Sequence, residues 1–206
     1  MMRYGHPLII YELDGVLVDC SIREAAAEAA GPHHGKGSSA YWEILFDHRH
    51  LKQDLMVDGA SELIHQLWKD NMHQIVLTRR PLAFPQHAPF HEVYLTTIAW
   101  CLEQGLMPGW FRTWIFREQG IRSSEALWKQ EQVCRYIERH PEVDHLYMVD
   151  NNAENRYAIG SLCIDLYLGM NLLRDIRELE AVLVLVCGAK WGLWSGLRPY
   201  EPGRER

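Results

Sequence analysis

Pro7-Leu8-Ile9-Ile10-Tyr11-Glu12-Leu13-Asp14-Gly15-Val16-Leu17-Val18-Asp19 is a short apolar run that ends abruptly in two acidic side chains one residue apart, followed at once by a glycine. A run of this length reads as a buried strand. In an open α/β sheet, ligands bind outside the carboxyl ends of such strands. Because side chains alternate along a strand, Glu12 and Asp14 would share one face if the strand continued. Two carboxylates so placed repel, and are tolerable only in water, beside a cation, or with one of them protonated. A hard cation such as Mg²⁺ takes one or two carboxylates together with waters and phosphate oxygens. A cation-binding strand end and a solvated acidic turn are therefore the two readings of this stretch.

The composition bounds the rest. A chain of 206 residues, 48% hydrophobic and 23% charged, has the balance of a soluble globular protein and the length for one well-packed domain spanning 1–206. The net charge of −6 excludes coating an extended nucleic-acid surface by charge alone, which needs many lysines and arginines, but leaves room for engaging a nucleic-acid end. Five cysteines, scattered and without a CxxC pair, indicate a reducing compartment, hence the cytoplasm, and neither a disulfide framework nor a zinc cage. The N-terminus lacks the pattern of a signal peptide. The apolar stretch 181–197 is interrupted by Lys190 and glycines, so it reads as a packing helix rather than a membrane span.

Working outward from the opening stretch, the same design recurs. Helix formers over Ser21–Ala30 stop at Gly31-Pro32, His33 and His34 lie in a loop, and Tyr41–Phe46 reads as a short aromatic helix. Leu63, Ile64, Leu67 and Trp68 recur at helical spacing, with Asn71 as the stop. Gln74–Pro81 is a second apolar run, ending in Thr78, Arg79 and Arg80. A helix between two such strands is the βαβ signature of a parallel sheet. After a proline-containing loop, Phe90–Gln104 is expected to be helical, and Trp110–Phe116 a third strand that delivers Arg117 to the same edge. Ser123 and Ser124 are N-cap residues for a helix to about Glu138 that carries Lys129. His145–Asn152 is a fourth strand ending in Asp150, and a helix opens at Ala153. A fifth strand is expected over Cys163–Leu168, a closing helix over Leu172–Trp194, and a frayed tail over 198–206.

Glu12-Leu13-Asp14-Gly15, Thr78, Lys129 and Asp150-Asn151, in this order and at strand ends, resemble the four motifs of the haloacid dehalogenase superfamily of phosphotransferases. Arg117-Glu118-Gln119-Gly120 shortly before Lys129-Gln130-Glu131 is further similar to the 3′-phosphatase domain of phage-type polynucleotide kinases. The resemblance spans about residues 8–168. It implies a three-layer Rossmann-like α/β fold, a parallel sheet with helices on both faces and no large cap domain, and an open site suited to a phosphorylated nucleotide or nucleic-acid end. It also implies Glu12 as nucleophile, Asp14 as acid and base, Thr78 and Lys129 as holders of the phosphoryl oxygens, and Mg²⁺ on Glu12, Asp14 and Asp150. Arg79, Arg80 and Arg117 are candidates for contacting the remaining substrate. Where the family has Asp this chain has Glu12, one methylene longer, and Asn151 stands where an acid is common. The alternative is thus a catalytically silent relative that binds nucleotides or a protein partner. The sequence carries no signal of oligomeric state.

Overall fold

The computed structural model describes residues 6–30, 38–82, 93–118, 123–166 and 168–187. Its centre is a parallel sheet of β1 (His6–Tyr11), β4 (His73–Pro81), β5 (Thr113–Arg117), β6 (Val143–Val149) and β7 (Gly169–Leu173), in spatial order β5-β4-β1-β6-β7. The chain builds outward from β1 in one direction through β4 and β5, then returns to add β6 and β7 on the other side. The reversal falls between β1 and β6, and in such sheets the crevice at the carboxyl ends of the strands at the reversal is the ligand site.

Alternation along β1 divides the interior into two layers. Ile9 and Tyr11 face one side, with Val76 of β4, and pack on α4 (Ala60–Lys69), α5 (Val93–Glu103) and α8 (Ile176–Cys187) through Ile64, Leu67, Trp100 and Leu179. Leu8 and Ile10 face the other, with Ile75 and Leu77, and pack on α6 (Glu125–Arg139) and α7 (Ala153–Asp165) through Trp128, Val133, Ile159 and Leu162. Every one of these sheet residues is fully buried, as expected of strands covered on both faces.

Local chemistry accounts for the helix ends. Ser124 Oγ accepts from the Leu127 N–H at the start of α6, as its position in the sequence indicates. Asn71, after α4, adopts the left-handed conformation at φ 58°, which asparagine tolerates better than most residues.

After β1 the chain turns and forms a two-residue antiparallel pair, β2 (Val18–Asp19) with β3 (Leu55–Met56). Between these strands lie three short helices, α1 (Ser21–Ala30), α2 (Ser39–Leu45) and α3 (His48–Leu51). Ala27, Tyr41, Leu45, Phe46 and Leu51 bury one another and meet Val93 of α5, a third apolar cluster that makes this insertion a small helical hood.

Three elements differ from the sequence expectation. The third strand, expected over Trp110–Phe116, runs Thr113–Arg117, and Trp110 closes the short 3-10 turn Pro108–Trp110 ahead of it. The segment expected as a fifth strand, Cys163–Leu168, begins inside α7, which runs to Asp165, and the strand is Gly169–Leu173. Ile159, Leu162 and Cys163 are buried at helical spacing, so the sheet below selects period 3.6 over period 2 in a run that fits both. The closing helix begins at Ile176 rather than Leu172, because Leu172 and Leu173 belong to β7. The stop at Gly31-Pro32, the loop histidines His33 and His34, the loop 83–92, Gln119 and Gly120, residues 188–194 of the closing helix and the tail 198–206 lie outside the described residues. Among the described residues, no helix is long and apolar enough to cross a membrane.

Candidate active site

Glu12 follows the last residue of β1, and its N–H still donates to the Val149 carbonyl at 2.8 Å, so pairing with β6 carries it to the sheet edge. Asp150 follows β6 in the same way, with its N–H on the Leu173 carbonyl at 2.9 Å. Beyond Glu12 the chain curls, with the N–H groups of Leu17 and Val18 both donating to the Leu13 carbonyl. Glu12 and Asp14 are therefore not neighbours on one continuing strand. Gly15 completes the turn at φ +77°, and a β-carbon there would lie 2.1 Å from the Asn151 amide nitrogen. Both backbone conformation and close approach require glycine.

Each carboxylate has its own cations. Glu12 is 3% exposed, and its Oε1 accepts from the Leu13 N–H at 2.8 Å while Oε2 accepts from the Lys129 ammonium. Lys129 is fully buried and also donates to Asp150 Oδ2 at 2.6 Å, and it lies 3.0 Å from Glu125 Oε1, one helical turn back on α6. Asn155 on α7 ties Glu125 and Asp150 together, donating to them at 2.8 and 2.9 Å. Glu12, Glu125 and Asp150 place carboxylate oxygens within 4.8 Å of one another. Burial raises the Glu12 pKa, opposed by Lys129 and reinforced by the Asp150, Asp14 and Glu125 carboxylates. Burial works against the Lys129 charge, but Glu12, Asp150 and Glu125 outweigh it and hold the ammonium above its ordinary value.

Asp14 belongs to a second cluster. Its Oδ1 accepts from Arg23 of α1 and from Arg80 of β4, the latter through Nε at 2.9 Å and Nη2 at 2.5 Å. The same two arginines hold Asp54, Arg23 Nε at 2.9 Å and Arg80 Nη2 at 2.8 Å, and Arg80 also donates to Thr97 at 3.0 Å. All four charged groups are at most 4% exposed. Burial favours the protonated form of Asp14, yet Arg23 and then Arg80 overcome it and keep the carboxyl well below the usual range. Asp14 Oδ2 is buried without a hydrogen-bond partner.

The two clusters differ in balance. Asp14 and Asp54 face two guanidinium groups and are neutral as a set, whereas Glu12, Glu125 and Asp150 outnumber the one buried ammonium they share, and the only further cation in an ion pair with them among the described residues is the partly exposed Arg79, 3.8 Å from Glu125. Between the clusters opens a cavity of about 200 Å³ lined by Glu12, Asp14, Glu24, Arg79, Asn151 and Asn152.

The sequence candidates thus separate. Glu12, Asp14 and Arg79 line the cavity, and Asp150 and Lys129 lie directly behind it. Arg79 is held loosely, 3.8 Å from both Glu24 and Glu125, with its side chain 31% exposed. Thr78 is buried at the end of β4, where its hydroxyl accepts from the Arg80 N–H at 3.3 Å. Arg80 is fully buried and its guanidinium is committed to Asp14, Asp54 and Thr97. Arg117 donates to the Ser123 carbonyl at 2.5 Å and sits over the Trp128 ring, at the start of α6. Reading by pattern passed over Glu125, Asn155, Arg23 and Asp54. Glu125 alone carried a signal, since a glutamate four residues before Lys129 shares its helix face.

No protein-family model matches the sequence, and no curated protein does. Solved structures do match. A hydrolase from Streptococcus pneumoniae TIGR4 superposes with a TM-score of 0.56 at 14% identity, over 87% of this chain and 98% of that one. A HAD-superfamily hydrolase from Ehrlichia chaffeensis gives 0.52 at 11% identity, over 91% and 98%. A chain of the Pnkp1/Rnl/Hen1 RNA repair complex gives 0.50 at 14% identity, over 85% of this chain and 44% of that one. At these identities the likeness is one of fold.

Proposed function

Since the chain carries the haloacid dehalogenase fold, we propose that it is a Mg²⁺-dependent phosphohydrolase that removes a phosphate from a nucleotide or a nucleic-acid 3′ end. The observation that carries this reading is the over-negative set of Glu12, Glu125 and Asp150 around one buried lysine, at the point where the strand order reverses. Three hard oxygen donors that outnumber the one buried ammonium among them fit a small divalent cation, which would screen the approach of an anionic phosphate. Glu125 takes the place among its ligands that the sequence reading gave to the side chain of Asp14. The likeness to a chain of an RNA repair complex supports a nucleic-acid end as substrate.

In this proposal a Glu12 oxygen forms a bond to phosphorus as the ester P–O bond breaks, leaving an acyl phosphate. Lys129 and Arg79 hold phosphoryl oxygens, and Thr78 supports the β4 end that carries Arg79. Asp14, flanked by two guanidinium groups, remains ionised. Because Asp14 stays ionised, the leaving oxygen takes its proton from solvent water, and the unpartnered Asp14 Oδ2 then accepts a proton from the water that attacks the acyl phosphate. Arg80 acts through Asp14 as a positioning residue.

The second reading, a phosphate-binding protein without turnover, rests on the engagement of both Glu12 oxygens, Oε1 by backbone and Oε2 by Lys129. Phosphate release from an aryl phosphate and from a 3′-phosphorylated oligonucleotide, with Mg²⁺ and with EDTA, separates the two. The enzyme reading expects release with Mg²⁺ that EDTA and Lys129→Met abolish. It fails if the native chain releases nothing while Glu12→Asp does.

A further inference from the structure

At the opposite end of the sheet, a cavity of about 600 Å³ opens between the amino ends of β4 and β5 and the last turns of α6. Its wall carries Arg112, Arg135, Arg139, His73 and His140 against a single carboxylate, Glu142, which is taken by His140 at 3.1 Å. Thr78 lies five steps along β4 from His73, so the cavity lies roughly 17 Å from the Glu12 edge.

Three properties set it apart from a solvated basic face. The volume is within the usual range for small-ligand sites, roughly 300–1,000 Å³. Among the described residues none of the three arginines is paired with a carboxylate, although acidic residues outnumber basic ones in the chain, 27 to 21. The histidines add to the crowding. His73 Nδ1 is buried without a hydrogen-bond partner, and burial and then the Arg112 guanidinium hold the ring below the ordinary histidine pKa. Unpaired cations converging on a concavity repel each other, and an anion relieves all of them at once. Guanidinium forks match phosphoryl oxygens in two-point contacts, which favours phosphate over a compact halide or a single carboxylate.

We infer that this cavity is a second binding site, for an oligophosphate group, built by Arg112 ahead of β5 and Arg135 and Arg139 on α6. The phosphates belong either to a free nucleotide or to the backbone of a nucleic-acid strand. The site does not rest on the phosphohydrolase reading, since it shares no residue with the Glu12 cavity.

Calorimetric titration of the full chain with pyrophosphate in EDTA tests it. Binding by the native protein is expected to weaken by about tenfold or more in Arg112→Gln/Arg135→Gln/Arg139→Gln, all exposed positions, while Arg49→Gln, an arginine that lines neither cavity, binds as the native chain does. The triple variant is expected to keep any native phosphatase rate. Ring resonances of His73 and His140 are expected to shift on titration of the native protein, a readout independent of how the variant folds. A short hydroxyl-ended oligonucleotide that competes assigns the phosphates to a strand, and failure to compete assigns them to a free oligophosphate. Pyrophosphate affinity unchanged in the triple variant, or histidine resonances that do not move, would overturn the inference.

Discussion

Arg80 joins three buried acceptors on three different segments, Asp14 after β1, Asp54 before β3 and Thr97 on α5. Removing one partner of a buried charge network leaves the others uncompensated. Arg80→Met is therefore expected to cost on the order of 3–5 kcal/mol in urea denaturation, far more than Arg79→Gln at its half-exposed position. Glu12 makes a different demand. Its carboxylate reaches Lys129 with the length of a glutamate, and Glu12→Asp draws it back by roughly one bond. A misplacement of about 1 Å is expected to lower the rate of phosphate release on the order of 100-fold, while binding of a phosphate ester changes much less. At this scale the sequence was legible in part. Glu12, Asp14 and Asp150 stand at the ends of apolar runs and identify themselves. Arg23, Asp54 and Asn155 do not, because a partner 31 or 30 residues away leaves no periodic trace beside either residue.

Helix α6 and the turn after β1 are the elements that set the site. The first turn of α6 supplies Glu125 and the next Lys129, so its start fixes both the carboxylate and the ammonium. Loss of the Ser124 cap in Ser124→Ala is expected to destabilise the chain by about 1 kcal/mol, with phosphate release weakened more than that loss of folded protein explains. In the turn, Gly15→Ala would force a left-handed alanine against Asn151 and is expected to displace the residues that close the cavity. Stability in urea and the rate of release should both fall, and an unchanged rate would show that Asn151 has room to move. Elements with apolar runs of strand length between polar ends were readable in advance, and β1, β4 and β6 lie where their sequences place them. The shift from Cys163–Leu168 to Gly169–Leu173 shows where such reading ends, since a short apolar run takes its period from the surface it lands on.

For the molecule as a whole, buried thiols make stability depend on alkali. Burial pushes Cys20 and Cys101 up to about 12, and Cys163 up to about 11, from 9.0. The unfolded chain loses these protons first, so the stability they confer is full below the unfolded value and is lost as pH rises from there toward the folded values. Urea denaturation at about pH 8 and about pH 10 should differ by on the order of 1 kcal/mol for each buried thiol, and Cys101→Ala should reduce the difference. On the acid side Asp14 behaves oppositely. Its depressed pKa supports the fold above the unfolded carboxyl range, and that support declines as pH falls below it.

The hood over the cavity enters and leaves the sheet through one antiparallel couple, Asp19 with Leu55. Two such adjacent seams make the segment between them a cassette, exchangeable by recombination without cutting any strand of the parallel sheet. Arg23 and Asp54, however, lie just inside those seams, and both belong to the network that grips Asp14. A swap that brought a new hood would therefore carry its own grip on that carboxylate, or none. In this architecture a lineage changing what it admits to the cavity would alter the reactivity beneath it in the same step.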